Sequence, residues 1–204
     1  MRKVKWTFWT LVILIVGLFL NYNLPQHDVV RITDTYNRQT PLGTINSYFY
    51  ASQDAGTAPS SIRDVRFIDA VFPSGKVIVY RNEDTGFWPP YLKFDSSNLQ
   101  AQANNVKSTT GDPQWVMVTH YGWRITIESI YPNAVKITPV AGPDVTIIPW
   151  VNIIILVLMA VGLFMLRRMW LQFWERMVDP AVASAEEAGD RARGFFGRLF
   201  GRKG

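Results

Sequence analysis

Two long apolar runs divide this chain into three parts. The first covers residues 6–22, where nine of the ten residues from Leu11 to Leu20 are Leu, Ile, Val or Phe. The second covers residues 146–166 and holds thirteen such residues. Neither run contains a charged side chain, and each approaches the roughly 20 residues that a helix needs to cross a bilayer. The pattern predicts two transmembrane helices.

The first apolar run has a second interpretation. It follows Arg2, Lys3 and Lys5, and a basic start before an apolar segment is also typical of a cleaved signal peptide. A cleavage site needs small residues, whereas the residues after Leu20 are bulky or polar. The sequence therefore favours a retained anchor.

Between the two runs, polar and apolar positions alternate as they do in strands. The segment Phe72-Pro-Ser-Gly75 is typical of a tight hairpin turn. Residues 38–61 are rich in Ser, Thr, Gly and Ala, and we expect them to form mostly loop. The predicted strands cover residues 28–34, 64–71, 76–80, 114–128 and 134–138.

The longest predicted strand, residues 114–128, has two distinct faces. We expect its odd-numbered face, which carries Trp115, Met117 and Ile127, to point into the core. Gly122 predicts a bulge or bend within it.

Residues 95–105 predict a short helix. Asp95, Ser96 and Ser97 are all suitable N-caps, and Leu99 and Ala103 would face inward together. The central region is therefore predicted to be an α+β fold, a small and mostly antiparallel sheet with one short helix.

Charge gives the chain a direction across the membrane. Residues 1–22 carry three basic and no acidic residues, residues 23–145 carry 10 basic and 11 acidic, and residues 146–204 carry 8 basic and 5 acidic. Because basic residues collect on the cytoplasmic side of membrane helices, we expect both termini in the cytoplasm of a bacterium and the middle in the periplasm. The predicted segments are a cytoplasmic start (1–5), helix (6–22), periplasmic domain (23–145), helix (146–166), interfacial extension (167–178) and cytoplasmic tail (179–204).

Composition removes several classes of function. Hydrophobic residues make up 48% of the chain, which excludes intrinsic disorder, and the absence of Cys excludes a thiol nucleophile or a Cys-ligated metal. Basic charge flanks the apolar runs instead of covering the central domain, so no nucleic-acid partner is expected. The sequence also lacks the common catalytic and nucleotide-binding motifs. We expect no catalytic residue, no metal site and no cofactor.

Six blocks of sequence carry a resemblance to a known family. They are Asp64-Val-Arg-Phe-Ile, Val79-Tyr-Arg-Asn-Glu-Asp-Thr-Gly86, Pro89-Pro-Tyr-Leu-Lys-Phe-Asp-Ser96, Asn98-Leu-Gln-Ala, Val118-Thr-His-Tyr-Gly-Trp-Arg124 and Pro132-Asn-Ala-Val. In combination they resemble an uncharacterised alphaproteobacterial family of membrane proteins, catalogued as a domain of unknown function. The resemblance implies an inner-membrane protein with two helices, and it implies no activity. It covers most of residues 1–168.

Three features are candidates for docking to a partner. One is an aromatic, Pro-rich segment, the second a charged turn after a predicted strand, and the third an amide inside the second apolar run. Each has a structural alternative: a loop packed on the domain or the membrane, a solvated turn, and an amide that bonds locally. The candidate residues are Phe87, Trp88, Tyr91, Arg81, Glu83, Asp84 and Asn152.

His120 and Arg124 share one face of the longest predicted strand, but they do not make a reactive pair. On an extended strand they would lie about 13 Å apart, which is too far for direct cooperation. We expect His120 to be structural.

Aromatic residues near the C-terminus are candidates for contact with the membrane surface. Trp170, Phe173 and Trp174 recur at helical spacing after the second run. The last fourteen residues carry five basic residues and the aromatic side chains Phe195, Phe196 and Phe200, which together predict an amphipathic segment on an anionic leaflet. The alternative for that segment is a disordered basic tail.

These observations favour a non-catalytic protein. We expect an accessory subunit or assembly factor that docks on a larger inner-membrane complex, an energy-transducing complex being one option. Its expected partners are other membrane-protein subunits and the lipid bilayer. The alternative is an anchored periplasmic module that binds a small ligand or an envelope component.

Overall fold

The computed structural model of the protein describes residues 2–41, 62–86 and 89–180, with residues 182, 184, 186, 187, 189 and 191. The chain forms two units, residues 1–149 and 150–204. The first contains α1 (Arg2–Asn23), β1 (Gln26–Pro41), β2 (Ile62–Val71), β3 (Val77–Arg81), α2 (Ser96–Asn105), β4 (Trp115–Tyr121) and β5 (Asn133–Pro139). The second contains α3 (Trp150–Phe173), which continues as a π-helical turn, Trp174–Val178.

Both predicted apolar helices are present. The stretches Lys3–Asn23 and Trp150–Val178 are long and apolar enough to cross a membrane. Pro149 lies just before α3 rather than in its first turn, which suits a residue without a backbone N–H. The chain is therefore α+β, with two candidate membrane spans.

The five strands close into a barrel in the order β1-β2-β3-β5-β4. β1 is long enough to pair with β2 through its second half and with β4 through its first half, and a bulge between Ile32 and Asp34 separates the two halves. Only β3 and β5 pair in parallel, at Arg81 and Asn133. This order, with α2 between β3 and β4, is the topology of the OB-fold, a five-stranded Greek-key barrel. Sequence alternation predicted the mostly antiparallel sheet but not its closure.

One apolar core fills the barrel beneath α2. The predicted inward pair of α2, Leu99 and Ala103, is buried there. The strand members are β-branched or small, which suits a narrow barrel interior. They are Val30, Ile32, Ile68, Ala70, Val116, Val118, Ala134 and Ile137, with Tyr80.

The prediction for the strand at residues 114–128 was wrong in its length and in the face that it buries. The strand ends at Tyr121, and Gly122 then bends the chain with φ at +89°. Val116, Val118 and His120 of the even-numbered face are buried, and of the odd-numbered face Tyr121 is buried at the end of the strand, whereas Ile127 is 93% exposed. Both faces are apolar at the start of the strand, so alternation alone could not identify the face that points inward. The narrow barrel interior accommodates the smaller valine side chains.

β1 also differs from its prediction. It runs to Pro41 and not to residue 34, because its second half pairs with β2 as far as Ile62. Residues 38–41, predicted as loop, are therefore strand. The rest of that predicted loop, residues 42–61, lies outside the described residues.

Candidate functional site at the junction of helix and barrel

The apolar helix α1 passes into the barrel with almost no linker. Only Leu24 and Pro25 separate α1 from β1, and the Leu24 N–H still bonds to the carbonyl of Leu20 at 2.8 Å. Pro25 is buried, and its ring restricts the backbone at the point of entry. The direction of the helix is thereby tied to the first strand of the barrel.

Three hydrogen bonds join the last turn of α1 to two loops of the barrel. The Gly122 N–H donates to the Tyr22 carbonyl at 2.9 Å, and Trp123 Nε1 donates to Asn21 Oδ1 at 2.8 Å. From the other loop, the Tyr91 hydroxyl donates to the Asn23 carbonyl at 2.6 Å. Two different loops thus fix the same helical turn.

Aromatic rings pack around these bonds. The Tyr22 ring meets Trp123 edge-on at 5.2 Å, and Tyr91 stacks on the buried Tyr121 at 4.9 Å. A Cβ at Gly122 would lie 3.5 Å from the Tyr22 ring, on a backbone whose positive φ favours glycine. We call residues 21–23 with Tyr91 and residues 121–123 the junction.

A buried lysine lies beside the junction. Lys93 is 4% exposed, and its ammonium donates to Asn82 Oδ1 at 2.5 Å, to the Ala134 carbonyl at 2.7 Å and to the Glu83 carbonyl at 3.2 Å. Three N–H donors thus meet three oxygens. Burial lowers the pKa of Lys93 to about 8, against the opposing attraction of nearby carboxylates.

The partners of Lys93 are themselves held by buried bonds. The Asn82 amide donates to the Ser96 carbonyl and to Gln100 Oε1, both at 2.8 Å, which ties β3 to α2. The fully buried Asn133 accepts the Glu83 N–H at 2.9 Å and donates to the Glu83 carbonyl at 3.0 Å.

Asn133 also reaches the junction. Its amide nitrogen lies 3.2 Å from the Tyr121 hydroxyl, and Arg81, 2% exposed, bonds to Glu83 Oε2 at 3.1 Å. We call Arg81, Asn82, Glu83, Lys93 and Asn133 the polar plug. Its bonds orient the two segments that carry Tyr91 and Tyr121.

A second polar group lies inside the barrel. Asp28 accepts a hydrogen bond from the Tyr80 hydroxyl at 2.7 Å, and His120 Nε2 lies 2.9 Å from the same oxygen. Burial alone would raise the pKa of Asp28, but the contacts with His120 and Tyr80 outweigh it and hold that pKa below its usual value. His120 is 4% exposed, and its ring packs against Tyr80 at 5.2 Å. These contacts fit the structural role predicted for His120.

His120, Arg124 and Arg81 each contact a different partner. His120 faces Asp28, whereas Arg124 lies beyond the end of β4 with its guanidinium 4.1 Å from the centre of the Tyr131 ring. Arg81 bonds to Glu83 in the polar plug.

The predicted docking residues have different surroundings. Arg81 is buried and Glu83 is half-buried, so they support the turn from within. Asp84 is exposed and accepts the Ser96 N–H at 2.9 Å, which caps α2 from a neighbouring segment. Tyr91 belongs to the junction. Phe87 and Trp88 lie outside the described residues.

The remaining predicted candidates lie in the second unit. Asn152 is half-buried in the first turn of α3. Trp170 lies 6.2 Å from Phe173 and 6.1 Å from Trp174 between ring centres, so these three aromatic side chains form one exposed cluster. Phe195, Phe196 and Phe200 lie outside the described residues.

Sequence reasoning missed the residues that hold the junction. Lys93 and Asn133 lie in polar or Pro-flanked segments that resemble surface loops, and their burial depends on bonds between distant parts of the chain. Tyr22 did carry a signal, because an aromatic residue at the end of an apolar run is typical of a membrane interface.

The comparisons with known proteins place the chain in a family. Residues 1–174 match the model described as protein of unknown function (DUF1523). An uncharacterised protein of Haemophilus influenzae is 35% identical over 171 residues, which cover 81% of this chain and 92% of the relative. No solved structure matches the chain. As the resemblance of the six blocks indicated, the chain belongs to the DUF1523 family.

Proposed function

We propose that this chain is a non-catalytic accessory subunit or assembly factor, held in a bacterial inner membrane by α1 and α3. In this proposal the barrel lies in the periplasm and both termini lie in the cytoplasm. The basic residues that precede α1 and follow the apolar part of α3 support that orientation. The partners are other membrane-protein subunits.

The junction is the observation that carries this proposal. Hydrogen bonds from two loops and the packing of the Tyr22 ring on Trp123 and Tyr121 fix the barrel on the last turn of α1. A subunit that contacts one complex both through its membrane helices and through its outer domain needs the two in a fixed relation, because each interface then raises the effective concentration of the other. A flexible linker of Gly and Ser would not hold the helix and the outer domain in a fixed relation.

Co-purification from native membranes tests the proposal. Tagged full-length protein is extracted in a mild detergent, and the proteins that accompany it are identified by mass spectrometry. A reproducible stoichiometric set of membrane subunits is the expected result. Migration as a lone monomer without any co-migrating protein contradicts the proposal.

Two variants relate the result to the junction. Tyr22→Ala combined with Trp123→Ala removes the edge-on ring contact and the indole bond to Asn21, so less of the partner set is expected to co-purify. Val77→Ala is the matched control, because Val77 is 64% exposed and begins the strand whose far end is Arg81. Equal recovery with both variants would show that the junction does not matter for docking.

A second candidate function rests on the topology of the barrel. OB-folds elsewhere bind oligosaccharides and oligonucleotides on the face of their second and third strands, although a fold alone does not determine function. Here Tyr36 stacks on Phe67 of β2 at 5.5 Å and is 36% exposed. This favours an envelope-binding module, in which a cell-wall glycan fragment raises the melting temperature of the full-length protein and a Tyr36→Ala variant loses the shift.

A further inference from the structure

Large apolar side chains are exposed on two loops of the barrel. Ile127, at 93%, and Phe94, at 72%, are the most exposed large apolar side chains among the described residues between 24 and 149. Leu92, two residues before Phe94, is 58% exposed. An exposed apolar side chain by itself is ordinary, but three of this size on two neighbouring loops indicate an interaction surface.

Both loops are bonded to the end of α1. The first contains Leu92 and Phe94 and is attached through Tyr91, whose hydroxyl bonds to the Asn23 carbonyl. The second contains Ile127 and is attached through Gly122 and Trp123. Since Leu92 directly follows Tyr91, its Cα lies about 3.8 Å from that anchored residue. Ile127 follows Trp123 by four residues and lies within about 14 Å of it.

The same two loops contain residues with unusual backbone dihedral angles. Leu92, with φ at 47°, and Ser129, with φ at 52°, are the non-glycine residues with positive φ in the part of the chain that the structure describes. A bulky residue such as leucine rarely adopts this conformation, because it costs free energy. At the second loop, Ser129 closes a turn by donating its N–H to the Thr126 carbonyl, with Ile127 inside that turn.

We infer that these two loops insert Leu92, Phe94 and Ile127 into the interfacial layer of the bilayer that α1 crosses. The inference rests on the membrane anchoring in the proposed function. Tyr22 and Trp123, in contact with each other at the end of α1, have the amphipathic rings that collect at this depth of a membrane. The exposed side chains of the loops that are bonded beside them therefore lie close to the lipid.

The polar groups of the second loop are compatible with that position. The Arg124 guanidinium bonds to the carbonyls of Ile125 and Ile130 at 3.1 and 3.0 Å, so it meets the backbone acceptors of its own loop. Glu128 is exposed beside Ile127 and would stay at the level of the headgroups. The barrel would then contact the membrane through both loops as well as through α1.

Single-cysteine labelling tests this inference directly, because the chain has no Cys. Full-length Ile127→Cys and Phe94→Cys carry an environment-sensitive fluorophore in nanodiscs of phosphatidylethanolamine and phosphatidylglycerol. Val77→Cys is the control for an exposed barrel position, and Leu14→Cys reports the middle of α1. Lipids brominated on their acyl chains then quench any label that lies in the bilayer.

The expected result is a blue-shifted emission and clear quenching at residues 127 and 94, less than at residue 14, with neither effect at residue 77. If residue 14 is quenched while residues 127 and 94 behave like residue 77, the loops do not insert and only this inference falls. If residue 14 is not quenched, the anchoring in the proposed function falls with it. Labels that are shielded in native membranes but not in nanodiscs would assign the loops to a partner protein, which overturns insertion into lipid.

Discussion

The barrel has two buried regions that are stabilised by different kinds of interaction. Beneath α2, apolar side chains such as Ile68 and Val118 fill the space with no hydrogen bonds to satisfy. At the junction end, the polar plug buries Lys93 and Asn133 with their donors and acceptors matched to specific oxygens and N–H groups. Apolar packing is non-directional, whereas a hydrogen bond fixes an angle and a distance. The apolar core stabilises the barrel, and the polar plug determines how the loops of the junction are held.

Asn133→Leu should give the largest effect, because it keeps the branched shape of the side chain and removes its bonds. Both the N–H and the carbonyl of Glu83 lose a buried partner. Each such loss costs roughly 1–3 kcal/mol, so we expect the variant to lose about 3 kcal/mol of unfolding free energy. Chemical denaturation of the full-length protein in detergent, followed by near-ultraviolet circular dichroism, measures it. A loss below about 1 kcal/mol would mean that the plug tolerates apolar replacement as a core does.

The pH dependence of stability should reveal the buried lysine. Burial lowers the pKa of Lys93 to about 8 in the folded state, from 10.5 in the unfolded chain. Between these values the unfolded state binds the extra proton, so the unfolding free energy rises with pH. At up to about 1.4 kcal/mol per pH unit, the rise from pH 8 to pH 9, below the range in which unfolded tyrosines ionise, is about 1 kcal/mol. Denaturation at a series of pH values measures it.

A control variant separates Lys93 from other groups. Lys93→Met lacks the titrating ammonium, so its stability should stay flat between pH 8 and pH 9. As the pH approaches and passes 10, both proteins should lose stability, because burial raises the pKa of Tyr80 and Tyr91 and only the unfolded tyrosines then ionise. A rise in the Lys93→Met variant equal to that of the wild-type protein would contradict the assignment.

The sequence predicted the parts of this molecule that depend on local pattern. The apolar helices, the hairpin of β2 and β3, and the inward pair Leu99 and Ala103 of α2 were all predicted from periodicity and are present. Barrel closure was not predictable in this way, because it depends on β1 pairing with two partners at once.

The candidate site was less predictable than the fold. Lys93 is buried because its three acceptors come from Asn82, Glu83 and Ala134, and Ala134 lies 41 residues away. The sequence around Lys93 does not indicate these hydrogen-bond partners. The sequence predicts the turn of Arg81 to Asp84 as a docking surface or a solvated turn, but its first three residues belong to the polar plug.

Ile68→Val tests the other side of the comparison, with a smaller expected effect. Ile68 is fully buried in the apolar core, and removal of one methyl group from such a site typically costs 0.5–1.5 kcal/mol. We expect a loss of about 1 kcal/mol with no change in the pH profile, measured by the same denaturation. A loss as large as that of Asn133→Leu would remove the distinction between the two buried regions.

The smallest effect concerns the helix that contacts both buried regions. α2 buries Leu99 in the apolar core, and its N-terminus is capped by Asp84, whose carboxylate accepts the Ser96 N–H at 2.9 Å. Asp95, which precedes α2 and was predicted as a cap, makes no side-chain capping bond.

Loss of a capping side chain costs typically about 1 kcal/mol, and less where the group is exposed as Asp84 is. We therefore expect Asp84→Ala to lose about 0.5 kcal/mol, and the matched Asp95→Ala to lose less. Hydrogen exchange of the first turn of α2 measures both, and faster exchange in Asp95→Ala than in Asp84→Ala would transfer the cap to Asp95. Because Asp84 directly follows Glu83 of the polar plug, exchange that also quickens at β3 in Asp84→Ala would show that the plug and α2 open together.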